Sequence, residues 1–200
     1  MSRRCCLVIG AGAVAERKIA NLLEVNAAVT VISPDASETI LRWSKKQLIQ
    51  LIARRYQPGD LAGAELVFVA TDDGAVNAAV HQEGRMRGVW VNAADDPAHC
   101  DFILPSVLRR GDLTVAVSTS GTSPALARTI REELELYFTE EYELLANLAA
   151  EVRAELQARD LSAPFEAWHR ALSGEVRQLL MRGDVARAKN LLLRELGVPS

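Results

Sequence analysis

Short unbroken apolar runs alternate with helical patterns through about residue 92. Cys5-Cys6-Leu7-Val8-Ile9, Ala28-Val29-Thr30-Val31-Ile32 and Leu66-Val67-Phe68-Val69-Ala70 read as strands buried on both faces, being continuous and rich in β-branched residues. Leu48 to Ala53 predicts a further strand before the third of these, and Val89-Trp90-Val91-Asn92 a fifth after it. Between the first two, Val14, Ala15, Lys18, Ile19, Leu22 and Leu23 fall on one face of a helix running from Ala13 to about Val25. Ser33-Pro34 stops the second strand, and a short helix follows with Asp35 or Ser37 placed to cap it. Thr71-Asp72-Asp73-Gly74 opens another helix. Strands separated by helices imply parallel pairing through right-handed crossovers, a doubly wound sheet.

The texture then changes. Asp101-Phe102-Ile103-Leu104-Pro105 and Leu113 to Ser118 predict two strands joined across Arg109-Arg110-Gly111-Asp112 with no long helix between them. Ser123 as N-cap and Pro124 at the first helical position start a strong helix, carrying Leu126, Ala127, Ile130, Leu134, Tyr137 and Phe138 at helical spacing. From about Glu140 onward everything reads helical. Leu145, Leu148, Ala149, Val152 and Leu156 form one stripe, and Phe165, Trp168 and Leu172 start another. A last helix runs from Asp184 as cap to Gly197 as stop. The expected architecture is α/β: a Rossmann-type doubly wound parallel sheet over 1–104, a small mixed dimerisation element over 105–138, and a helical domain over 139–200.

Composition narrows the class. Hydrophobic residues make up 49% of the 200 and charged residues 24%, ordinary for a folded chain with one substantial core. A formal charge of -3 without a basic run argues against bulk nucleic-acid binding. No 18-residue apolar stretch and no leader pattern stand at the start, so no membrane role and a cytoplasmic location are expected. Cys5, Cys6 and Cys100 form no CxxC pair, and the expectation is small buried side chains rather than a disulfide or metal framework.

The first strand runs into Gly10-Ala11-Gly12-Ala13-Val14-Ala15, a G-x-G-x-x-A turn between a strand and a helix. Gly10 allows the tight turn, Gly12 lets backbone approach a pyrophosphate, and Ala15 lets the helix pack on the sheet. The first N–H groups of the helix, with Ala13 and Val14 leading it, suit phosphate charge. This context points to a dinucleotide. Where the usual fingerprint has an acidic residue for the ribose, this chain has Ser33, Pro34 and Asp35. No basic residue follows until Arg42, so NAD is expected over NADP.

Ligands of such folds bind outside the carboxyl ends of the strands. Two loops there carry acids: Thr71-Asp72-Asp73, and Asn92-Ala93-Ala94-Asp95-Asp96-Pro97. Asp72 reads first as a helix cap, with Thr71 lining the cofactor site. Asp95 and Asp96 have no long helix to cap. Their mutual repulsion is expected to raise one of them towards neutral pH, as a general base requires; a solvated turn ending at Pro97 is the plainer reading, and these residues alone leave both open.

Taken in order, Gly10 to Lys18, Ala70 to Asp73, Asn92 to Pro97, Phe102-Ile103-Leu104-Pro105-Ser106 and Ser118 to Ala127 resemble the precorrin-2 dehydrogenase family, the dehydrogenase/ferrochelatase module of siroheme synthases. The resemblance covers about residues 5 to 135. It implies oxidation of precorrin-2 to sirohydrochlorin with NAD⁺, a homodimer, and Asp95 as the base that takes the proton lost as hydride leaves. Some members also insert Fe²⁺, which is then a further substrate. It gives no counterpart here to the methyltransferase domain of the longer synthases.

Ser118-Thr119-Ser120-Gly121-Thr122-Ser123 places hydroxyls and free N–H groups before a helix start. With Asn92, the residues Ser118, Ser120 and Thr122 are candidate contacts for a substrate that carries eight acid side chains in this family. Arg17, Lys18, Arg109, Arg110 and Arg128 are candidate charge partners. His99 and Cys100 lie near Asp95, but His81 and His169 fall in separate helices, and no protein metal site is expected. A non-catalytic NAD(H)-sensing module is the competing function class; it keeps the glycine turn but needs neither the Asp95 nor the Ser118 loop. An unrelated small-substrate dehydrogenase would want a His or Lys to polarise a carbonyl.

Overall fold

The computed structural model describes residues 3–198 and divides into two compact units, Met1–Leu104 and Pro105–Ser200. In the first unit β1 Cys5–Ile9, β2 Ala28–Ile32, β3 Gln50–Ile52, β4 Leu66–Val69 and β5 Trp90–Ala93 form one parallel sheet in the order β3-β2-β1-β4-β5. Helices α1 Ala13–Glu24, α2 Glu38–Lys45 and α3 Gly74–Arg87 follow β1, β2 and β4. Val8, Val31 and Phe68 bury one sheet face against Ala15, Ile19 and Leu22 of α1 and Ile40 of α2. Leu7, Ile9 and Val69 bury the other against Val80 of α3 and Leu61. Burial on both faces is why these strands are continuous apolar runs.

Strand order reverses between β1 and β4. The register sets Ile9 beside Ile32 and Val69, and Val69 beside Ala93. The carboxyl ends of β1, β4 and β5 therefore finish in one row, at the point where an open α/β sheet leaves a crevice.

β5 is an edge strand, and the chain covers part of that edge itself. After a single 3-10 turn at Pro97–His99, Cys100 bridges back to Asn92. The Asp101 N–H donates to the Val91 carbonyl at 2.8 Å, and Asp101 Oδ2 accepts from the Val91 N–H at 2.9 Å. The strand expected over 101–105 is thus not a strand. The antiparallel pair is β6 Ser106–Arg110 with β7 Leu113–Val117, so Arg109 and Arg110 lie in β6 rather than in the connection. A two-residue Gly111-Asp112 turn, with Gly111 at φ 53°, sets that register.

In the second unit α4 Pro124–Tyr137, capped by Ser123 Oγ accepting from the Leu126 N–H, packs on β6 and β7. Helices α5 Glu141–Ala158, α6 Phe165–Leu172, α7 Glu175–Met181 and α8 Val185–Glu195 share a core of Leu148, Val152, Leu156, Leu180 and Leu192. The expected α6 stripe is partly displaced. Phe165 is 75% exposed while Ala167 and Ala171 are buried, because small side chains let α6 lie close on its neighbours. Cys6 is buried and Cys100 half-buried, but Cys5 is exposed, against expectation; all three are free thiols. Its place as the first residue of β1 leaves Cys5 outside the packed layer.

Candidate active site at the carboxyl ends of the strands

The two glycines of the turn do different work. Gly10 donates to the Ile32 carbonyl at 2.9 Å and holds φ +97°, and a Cβ there would stand 2.2 Å from the Ala70 carbonyl oxygen. Only glycine lets the end of β1 pass this close to the end of β4. Gly12 is the N-cap of α1, and the space a Cβ would enter is open. Ser37 and Asp73 cap α2 and α3 through their side chains, whereas no side chain caps α1. Ala13 and Val14 therefore begin a helix whose N-terminal donors meet no capping side chain. That open, uncapped end fits a pyrophosphate. Ser33 is buried just past β2, its N–H bonded to the Ile52 carbonyl at 3.2 Å. Pro34 and Asp35 beside it are exposed.

A cavity of about 320 Å³ opens beside this turn, walled by Val14 of α1, Ala70 to Asp72 after β4, Asn77 of α3, and Asp95 and Asp96 after β5. Thr71 Oγ1 accepts from the Asp73 N–H at 3.2 Å. The cap of α3 is Asp73, whose Oδ1 accepts from Ala75 and Val76, and not Asp72 as the sequence suggested. The turn is one residue longer than expected, which leaves Asp72 exposed at the cavity.

Asp95 is exposed in the cavity wall and sits at φ +57°, a left-handed conformation that costs a non-glycine residue strain. The loop around it is stapled. The Ala94 N–H donates to Val69 O at 2.8 Å, and the Cys100 thiol donates to Ala93 O at 3.1 Å. Asp96 Oδ2 accepts from His99 Nδ1 at 2.7 Å and from Asn77 Nδ2 at 3.1 Å. These two donors hold the Asp96 carboxyl below the usual carboxylate range, the imidazole first and the amide second. The expectation that like-charge repulsion lifts one acid of the pair is therefore not met at Asp96, where the donors outweigh the desolvation that opposes them.

Two histidines that lie far apart in sequence meet here. The His81 and His99 rings are 5.6 Å apart, edge to face, and His81 Nε2 lies 3.4 Å from Asp101 Oδ1. Even so, among the described residues no group of three or more His, Cys, Asp or Glu side chains is placed to hold a metal ion. His169 stacks on Phe165 in the second unit. Asn92 does not present a free amide: it is buried, and its Nδ2 donates to the Phe102 carbonyl at 2.8 Å. It pins the returning chain beside β5. Lys18 is half-buried with its ammonium 5.1 Å from the Phe68 ring centroid. Burial, then the charge of Arg17, pulls the Lys18 ammonium below its ordinary value, while Cys100 and Asp95 act the other way.

The Ser118, Ser120 and Thr122 loop belongs to the second unit. Its hydroxyls largely serve the loop: Ser118 Oγ accepts from the Ser120 N–H at 3.2 Å, and Thr122 Oγ1 donates to Thr119 O at 2.6 Å. Arg110 Nε lies 3.4 Å from Glu140, and Arg128 pairs with Glu132 at 2.8 Å. A larger cavity, about 740 Å³, lies among α5, α7 and α8, but none of the motif residues lines it. The chemistry selects the smaller one.

Residues 1–106 match the family described as putative NAD(P)-binding. The chain belongs to this family. Residues 110–135 match a second model, sirohaem biosynthesis protein central. Siroheme synthase from Methylococcus capsulatus is 40% identical over 190 residues, covering 94% of this chain and 40% of that one. The Pseudoalteromonas atlantica siroheme synthase is 33% identical over 195 residues, covering 96% and 42%. This chain thus spans about two-fifths of the length of these relatives. A solved structure titled "SirC, precorrin-2 dehydrogenase" superposes with a TM-score of 0.77 at 27% identity, covering 96% of both chains. The family read from the five motifs is the one these comparisons return.

Proposed function

We propose that this chain is an NAD-dependent precorrin-2 dehydrogenase of siroheme biosynthesis, with Asp95 as its base. The observation that carries the reading is one cavity walled by Val14 of α1, just past the open glycine turn, and by a fixed acidic loop. The solved precorrin-2 dehydrogenase with the same fold supports the substrate.

When bound, the dinucleotide supplies a hydride acceptor. The residues of this chain do the rest. The uncapped end of α1, entered over Gly12, holds the pyrophosphate. Ser33 to Asp35 meet the ribose, and the lack of a basic residue there favours NAD over NADP. Asp95, strained and exposed, takes the proton that leaves precorrin-2 as its hydride departs. The balance is complete: precorrin-2 loses a hydride and a proton, giving sirohydrochlorin, NADH and a proton on Asp95. A sensing module has no use for Asp95 held in this geometry. The Ser118 and Ser120 hydroxyls offer donors to substrate carboxylates, Thr122 shapes their loop by bonding to Thr119 O, and Asn92 acts by fixing the acidic loop. The exposed Val107, Leu126, Leu136 and Tyr137 support a homodimer built through 105–138. Insertion of Fe²⁺ into the product would use the same aspartate to accept pyrrole protons.

The test is anaerobic incubation of the purified chain with enzymatically made precorrin-2 and NAD⁺, following NADH and the sirohydrochlorin spectrum. Oxidation by wild type and its loss in Asp95→Ala support both activity and base; NAD⁺ binding with no oxidation defeats the dehydrogenase reading. Fe²⁺ added after oxidation tests chelation in the same vessel.

A further inference from the structure

Among the described residues, Asn77 carries the one buried side-chain oxygen that meets no hydrogen-bond donor. The residue is 5% exposed, lies in the second turn of α3, and walls the cavity that holds Asp95. Leaving such an acceptor unpaired in a folded protein is costly and rare, so a donor is expected to meet it in the working state.

The amide cannot solve the problem by turning over. Asn77 Nδ2 donates to Asp96 Oδ2 at 3.1 Å, and the donors on Asp96 keep that carboxyl ionised well into acid. An ionised carboxylate only accepts. Turning the amide would set its oxygen against Asp96 and leave two acceptors facing each other. His99, on the other side of Asp96, fixes the carboxylate in turn, Nδ1 to Oδ2 at 2.7 Å. The Asn77 oxygen is therefore a preset acceptor that the protein does not satisfy.

We propose that Asn77 Oδ1 is the acceptor for a primary carboxamide N–H of the cavity's ligand. This rests on the reading that a nicotinamide dinucleotide enters this cavity; the donor is then the carboxamide arm of its pyridine ring. The same side chain reaches Asp96, next in sequence to Asp95. Anchoring the arm at Asn77 thereby ties the facing of the ring to the loop that carries the base. Asn77 is a positioning and specificity residue in this account, and selects a ligand with an N–H at that point over one of equal shape without it.

The test compares dissociation constants of the whole chain for NAD⁺ and for its 3-acetylpyridine analogue, in which a methyl group replaces the carboxamide nitrogen. Wild type is expected to bind NAD⁺ about 10-fold more tightly. Asn77→Ala is expected to weaken NAD⁺ by about that factor and to bring the two ligands within about 2-fold of each other. Equal affinities in wild type overturn the proposal without any variant, and mean that the oxygen is met by water. A ratio unchanged in Asn77→Ala also overturns it. Discrimination that depends on Asn77, with no oxidation of precorrin-2, upholds the subsite and defeats the activity. Oxidation of precorrin-2 with a ratio indifferent to Asn77 does the reverse, and no NAD⁺ binding at all defeats both.

Discussion

His99 and Asp96 form a hydrogen-bonded pair, Nδ1 to Oδ2 at 2.7 Å, one residue beyond the strained Asp95. The pair spans the 3-10 turn that returns the chain along β5. It holds the acidic loop by a side chain where no helix follows to hold it. Removing the imidazole leaves Asp96 with the Asn77 amide and the backbone N–H of residue 99. In His99→Ala, carboxyl NMR titration should show the Asp96 pKa rising towards the ordinary range, since its main depressing donor is gone. Turnover should fall about 10-fold through loss of placement of Asp95, while NAD⁺ affinity changes less than about 2-fold.

Asp95 itself separates stability from activity. Its φ of +57° suits glycine better than an acid. Asp95→Gly should raise stability by about 0.5–1 kcal/mol in urea unfolding, yet lower dehydrogenation by about 10² to 10⁴-fold. A variant that gained stability and kept its rate would remove Asp95 from the chemistry.

Gly10 and Gly12 should fail differently. Gly10→Ala forces a Cβ to within 2.2 Å of the Ala70 carbonyl oxygen at φ +97°, and should cost at least about 3 kcal/mol of stability. Gly12→Ala meets nothing in the protein and should unfold within about 1 kcal/mol of wild type. Its NAD⁺ affinity should nonetheless drop by about 10-fold or more, because the new methyl occupies the approach to the pyrophosphate. Urea curves beside dinucleotide titrations make the comparison.

Glu83 predicts the pH response of the first unit. This buried carboxylate accepts from Tyr56 Oη at 2.6 Å, Gly59 N at 2.9 Å, Leu61 N at 3.3 Å and Arg87 Nε at 2.6 Å. Burial pushes its pKa up, but these donors together pull it below the usual range. Its contribution is therefore complete above the unfolded value of about 4.3 and is lost as pH falls through the lower folded value. Tyr56 moves the other way: burial, then the bond to Glu83, raises its pKa. Stability from Tyr56 is complete below about pH 10 and is lost as pH rises beyond. Glu83→Gln should cost about 3 kcal/mol at pH 7, and the gap to wild type should narrow below about pH 4. Urea midpoints across that range read it directly.

Strand identity and strand direction were legible because burial on both faces leaves a plain signature in Val8, Val31 and Val67. The glycine turn was legible because each glycine answers a local steric demand. The edges were not. Residues 101–105 are apolar enough for a strand, yet Asp101 bonds to Val91 and Pro105 carries no N–H to donate. The stripe through Phe165 misled because helical spacing tells which residues share a face, not which face finds a partner. Glu83 was missed although it sits beside Gly84 on a helix; only the loop folded over it, from Tyr56 to Leu61, shows that the carboxylate is surrounded by donors.

Local chemistry decided what the sequence by itself determined: the doubly wound sheet, the dinucleotide turn, and a pair of acids, Asp95 and Asp96, at a strand exit. Backbone sterics and side-chain period act within a few residues, so they can be read along the chain. Tertiary structure alone decided what Asp95 stands among. It brought His81 of α3 to His99, set Asn77 against Asp96, turned Asn92 to the returning backbone, and left the Asn77 oxygen without a donor. Such contacts depend on the register of β4 and β5 and on where α3 lies, and no local pattern encodes the direction in which a side chain meets a partner ten or more residues away.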